Sequence, residues 1–149
     1  LGRKLLADQG KAFAQLSARV QATCTAAEQL PELKGLSESL GMRWQRLAPA
    51  IGAAGMAARS DMTLALANAY LLLDAMGHAV VAWLWLDQAL CAMSKLPEEA
   101  PQSPRWKLLQ GKLAAAQYFI DWELPSKDAQ LQRFAALDPL CRDIDAEIL

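Results

Sequence analysis

The sequence predicts an all-α fold, an up-down bundle of four-helix type with a short C-terminal helical tail. Three observations carry this expectation. The 149 residues include 29 alanines and 26 leucines but only ten valines, isoleucines and threonines together, a balance that favours helix over strand. Apolar residues recur at steps of three and four through most of the chain. Prolines fall where those runs stop. A 54% apolar content excludes a disordered chain, and the length suits one domain, expected to span residues 1–149, that buries roughly 70% of its unfolded surface. The net charge of −1 leaves no basic excess to neutralise phosphates, so nucleic acid is not expected as a partner.

The first predicted helix runs from about Gly2 to Leu30, with Phe13, Leu16, Val20, Cys24, Ala27 and Leu30 on one stripe and Pro31 closing it. Leu33, Leu36, Leu40, Trp44, Leu47, Ile51 and Ala54 continue the rhythm. Pro49 interrupts it, so a kinked helix or two shorter ones are expected between Glu32 and Arg59. Ser60 or Asp61 is the expected cap of a third helix reaching about Leu96. That helix is apolar around most of its circumference and is placed at the centre of the domain. Pro97, Pro101 and Pro104 mark the one obvious loop. Ser103-Pro104 then reads as cap and first residue of a fourth helix, striped with Trp106, Leu109, Leu113, Ala116 and Ile120 and ended by Pro125. One or two turns near Ala129 to Leu137 follow. A last helix restarts after Asp138-Pro139 with Leu140, Ile144 and Ile148.

Cys24, Cys91 and Cys141 are too widely spaced for a zinc site or a disulfide framework, so buried free thiols in a reducing cytoplasm are expected. No basic segment followed by an apolar run marks a signal peptide. The longest uninterrupted apolar run, Ala79 to Leu86, is far short of the ~20 residues a spanning helix needs, so no transmembrane segment is expected.

Asp74 and His78 lie four apart on the central helix and share a face, as a carboxylate that orients a histidine would. His78 is the only histidine, and Glu-x-x-His is absent, so a di-iron bundle is excluded. A histidine-phosphotransfer domain would carry Lys and Gly in the turn where Val81 and Ala82 stand. A structural pair, or a contact with another domain, is the better reading of Asp74 and His78. Trp83, Trp85, Trp106 and Trp122 are expected in the core. Trp83 and Trp85 point to different faces, leaving Trp85 as a candidate partner contact. Arg3, Lys4 and Lys11 form a basic cluster that reads as a solvated face or as contacts to a preceding segment. No catalytic, cofactor-binding or metal-binding residue is assigned.

Three ordered stretches resemble one family. Leu1-Gly2-Arg3-Lys4-Leu5-Leu6 resembles the Leu-x-Gly-Arg-Lys run of bacterial acyl-CoA dehydrogenases with an extended C-terminus. The stretch from Asn68-Ala69-Tyr70-Leu71 through Gly77 to Trp83-Leu84-Trp85-Leu86-Asp87-Gln88-Ala89 resembles a pattern in that extension, with Ala82 where the pattern has Gly. Lys112 to Phe119, ending at Leu124-Pro125, resembles its penultimate helix. The likeness is to the 3-methylmercaptopropionyl-CoA dehydrogenase branch. It implies a parent enzyme that uses FAD to oxidise an acyl-CoA substrate to the 2,3-enoyl-CoA, with its catalytic glutamate and flavin domain upstream of Leu1. The fragment itself would be non-catalytic. It would pack on the upstream flavin domain of the same chain or on a second subunit of a homo-oligomer, with Arg3, Lys4, Asp74, His78 and Trp85 as candidate interdomain or pocket contacts. A start at Leu1, already in helical pattern, fits a piece of a longer chain. A free-standing helical interaction or sensory module stays open beside this reading, as does peripheral docking of an amphipathic face on a membrane.

Overall fold

The computed structural model describes residues 10–145 and Glu147, and helices account for nearly all of them; no strand occurs among the described residues. Four long helices make the body: α1 (Lys11–Glu28), α2 (Pro31–Gln45), α5 (Ala69–Lys95) and α6 (Pro104–Tyr118). Shorter elements complete it: α3 (Leu47–Ala57), α4 (Met62–Leu66), α7 (Asp128–Ala135) and α8 (Leu140–Asp143). The central placement expected for the third helix holds for α5, which packs against α1, α2, α6 and α7.

The packing face of α5 is built largely from alanine. Leu72, Ala75, Ala79, Ala82, Leu86 and Ala89 recur at steps of three and four and are all buried. Small side chains let the neighbouring helices approach closely, and the larger residues of those neighbours fill the space. Val20 and Cys24 come from α1, Leu40 and Trp44 from α2, and Phe134 from α7. Three polar side chains in or beside this core are paired, whereas the buried Asn68 Oδ1 and Gln130 Oε1 have no hydrogen-bond partner. Ser37 Oγ donates to the Cys24 carbonyl at 2.9 Å, Trp44 Nε1 to Ser17 Oγ at 3.0 Å, and Trp83 Nε1 to Thr23 Oγ1 at 2.8 Å.

The segment holding Pro49 forms two shorter helices, one of the two forms expected, and they break at Arg46 because Pro49 cannot donate to the carbonyl one turn back. Other boundaries differ from the sequence expectation, each for a local reason. The expected third helix is also two. Asp61 caps α4 by accepting from Leu64 N at 2.8 Å, and the chain turns at Ala67-Asn68 before α5 begins. Asn68 is buried there, and its Nδ2 donates to the Asp138 carbonyl at 2.6 Å, so a tertiary bond to the tail holds the break. Ser103 caps α6 as expected, accepting from Trp106 N at 3.1 Å.

Pro125 does not end the helical path. A π-helical turn (Phe119–Glu123) passes into a 3-10 turn (Leu124–Lys127) and then into α7, and this change of register absorbs the missing proline donor. The tail therefore contributes to the core, through Leu131 and Phe134. Leu137, which follows α7, takes a left-handed φ of 53° and is held there by packing against the core. The last helix is a single turn, and its expected stripe is not buried: Leu140 and Ile144 are exposed, and Ile148 lies outside the described residues. Arg142 bridges Asp143 and Asp61, tying this turn to the start of α4.

Two further expectations are corrected. Cys24 is a buried free thiol, but Cys91 and Cys141 are exposed, since α5 turns Cys91 outward and α8 is too short to cover Cys141. Trp122 is 72% exposed, because the π turn rotates it off the stripe that buries Ile120. Within Met62–Glu98 an 18-residue stretch reaches a mean hydropathy of 1.5, which meets the length and composition needed to cross a membrane, as the core helix of a globular domain also can.

Candidate functional site

The outward face of α5 presents several large apolar side chains to water. Tyr70, Leu73, Gly77, Val81 and Leu84 recur at steps of three, four, four and three, so they form one stripe along the helix. Tyr70 is 64% exposed and Leu73 63%; Val81 and Leu84 are exposed as well. Alanine thus holds most of the fully buried positions of this helix, beside Leu71, Leu72 and Leu86, while four larger apolar side chains face water. Burial within the fold does not account for such an arrangement. Gly77 forms the low point of the stripe, and a groove of about 600 Å³ opens there, walled by Tyr70, Leu73, Val81 and Phe119.

One polar cluster borders the groove. Asp74 and His78 meet as the sequence predicts, with His78 Nδ1 3.2 Å from the Asp74 carboxylate and 2.9 Å from the Asp74 carbonyl oxygen. Both neighbours are acceptors, so Nδ1 carries the hydrogen. Lys127 Nζ lies 2.9 Å from the other carboxylate oxygen. Its hydrogen bond holds the Asp74 carboxyl below the usual carboxylate value, with the charges of Lys127 and His78 adding to the effect. The His78 ring stacks on Phe119 at 6.0 Å between centroids. Asp74 is therefore already satisfied, and the cluster ties α5 to the segment carrying Lys127. Among the described residues, no three His, Cys, Asp or Glu side chains gather as a metal site.

The other sequence candidates do not join this cluster. Trp85 lies two turns further along, half-buried toward α6 with Lys112 Nζ 5.1 Å from its ring centroid, and Lys112 also donates to Gln88 at 2.9 Å. It belongs to the α5–α6 contact. Arg3 and Lys4 lie outside the described residues. Lys127 and Phe119 were not anticipated, because their approach to α5 depends on the path after Pro125. The outer stripe was also missed: on a helix apolar nearly all round, spacing alone does not separate an outer stripe from the core stripe.

A second groove, of about 710 Å³, lies between the start of α2, the end of α5 and α6. Its charged lining residues are Glu32 and Asp121, and the α5 groove offers Asp74. Neither of these two grooves is lined by Lys or Arg, although His78 lines the α5 groove, and another groove, of about 560 Å³, is lined by Arg46 and Asp128.

The described residues form an all-α domain whose central helix presents an apolar stripe to water. The family model described as acetyl-CoA dehydrogenase C-terminal like matches residues 16–145, and the chain belongs to that family. No curated protein matches the chain.

Proposed function

We propose that this chain is the non-catalytic C-terminal helical domain of an FAD-dependent acyl-CoA dehydrogenase. In this reading its role is to dock on the flavin-bearing body of the enzyme or on a second subunit. The outer stripe of α5 is the observation that carries the docking role, since large apolar residues face water where the fold does not need them. Family membership supports the enzyme class, and the sequence likeness supports the 3-methylmercaptopropionyl-CoA branch. The parent reaction converts an acyl-CoA to the 2,3-enoyl-CoA, and bound FAD would supply the hydride acceptor. The flavin and the catalytic base would then lie on the upstream domain. The domain contributes rigidity and subunit contact, and a cytoplasmic location accords with this chemistry.

The test uses the protein encoded by the complete reading frame that contains this sequence. Its purified form should show flavin absorbance in the visible, and anaerobic addition of one acyl-CoA from a panel should bleach it. A colourless protein would reject the dehydrogenase reading and favour the free-standing helical module.

A further inference from the structure

We infer that residues 138–145 form a strap closed over the break between α4 and α5, and that this strap opens while the rest of the bundle stays folded. Two polar contacts hold it closed. Asn68 Nδ2 donates to the Asp138 carbonyl at 2.6 Å, and Arg142 reaches Asp61 at the start of α4. Asp61 thereby serves two elements, with Oδ1 capping α4 at Leu64 N and Oδ2 meeting Arg142. Apolar packing adds little to the hold, since no residue of α8 is buried and Leu140 and Ile144 face water.

The closed state carries penalties that opening relieves. A carbonyl only accepts, so the Asn68 amide must turn its nitrogen to Asp138. That choice leaves Oδ1 buried without a hydrogen-bond partner, on a residue only 4% exposed. A buried acceptor in this state has lost its water and gained nothing in return. The same choice leaves α5 without a side-chain cap, although asparagine, among the best capping residues, stands at its cap position. Leu137, immediately before the strap, takes a φ of 53°, in the left-handed region where a side chain is disfavoured. Arg142 divides its guanidinium between Asp61 and Asp143 at the surface, and exposed ion pairs contribute little.

Opening at Leu137 reverses these penalties together. Asn68 Oδ1 is then free to turn to the first N–H groups of α5, as a capping asparagine does. The single turn of α8 does not persist alone, so its amides lose their hydrogen bonds once the strap lets go. Opening stops short of Leu131 and Phe134, which are buried in the core. The strap thus sets whether α4 is tied to the tail or free to move at Ala67-Asn68.

Hydrogen exchange of the 149-residue chain, followed by NMR, tests this. The amides of Arg142, Asp143 and Ile144, each bonded within the strap, should exchange about tenfold or more slower than unstructured amides. They should exchange about tenfold or more faster than the amides of Leu86 and Ala89 in α5. Asn68→Asp keeps an acceptor to cap α5 and removes the donor to Asp138. It should bring the strap amides close to unstructured rates while leaving Leu86 and Ala89 protected. Arg142→Gln, at an exposed site that folding does not need, should speed the strap amides and the Asn68 side-chain amide by the same factor. Strap amides that exchange at unstructured rates in the unaltered chain would overturn the inference, because no closed state would exist. Strap amides as slow as those of Leu86 would also overturn it, because the tail would then open only with the whole fold. So would variants that leave strap exchange unchanged, or that speed strap and core amides equally.

Discussion

Trp83 and Thr23 join α5 to α1 through one hydrogen bond of 2.8 Å, donated by the half-buried indole N–H. Thr23→Val keeps the shape and removes the acceptor. It should lower stability by about 1–2 kcal/mol in urea unfolding with an unchanged denaturant slope, the cost of a donor left unsatisfied. No loss would mean that water reaches the indole. Asp74 makes a different prediction, concerning pH. Its hydrogen bond to Lys127 favours the ionised carboxylate in the folded state and lowers its pKa from 3.8. The stabilisation is therefore complete well above pH 3.8 and is lost as pH falls through the lowered folded value. A carboxyl titration followed by NMR should place the Asp74 midpoint below 3.8, and Lys127→Met should move it upward. A midpoint indifferent to Lys127→Met would show that solvent separates the pair. Of this cluster, Asp74 and His78 were readable from the sequence because a helix places residues i and i+4 together. Lys127 was not, being more than fifty residues away along a path set by tertiary packing.

At the scale of elements, α5 carries two apolar faces. Alanine holds most of the buried positions of its inner face, beside Leu71, Leu72 and Leu86, and its outer face centres on Gly77. Glycine in a helix interior is less stable than alanine, and a Cβ here meets open space. Gly77→Ala should therefore stabilise the domain by about 0.5–1 kcal/mol in thermal or urea unfolding. A destabilised variant would mean that position 77 is packed within the fold itself. Caps were legible in advance at Asp61 and Ser103, because each needs only a short side chain and a nearby N–H. The break at Asn68 was not, because its reason lies in the Asp138 carbonyl seventy residues later. The path through Pro125 escaped for a related cause: proline usually ends a helix, and here a π turn followed by a 3-10 turn carries the chain past it.

For the whole molecule, the apolar content and helical rhythm of 149 residues were enough to specify an all-α domain with α5 at its centre, since period and composition are properties of the chain itself. Ordered resemblances along the sequence also pointed to the acyl-CoA dehydrogenase C-terminal family to which it belongs. Tertiary structure alone decided which of α5's two apolar stripes was buried. Both stripes repeat at the helical period, and only the positions of α1, α2, α6 and α7 distinguish them. The same packing drew the tail into the core, brought Lys127 to Asp74, and left Tyr70, Leu73, Val81 and Leu84 facing outward. Local spacing fixes which residues share a face; which face meets water follows from contacts between residues far apart in the chain.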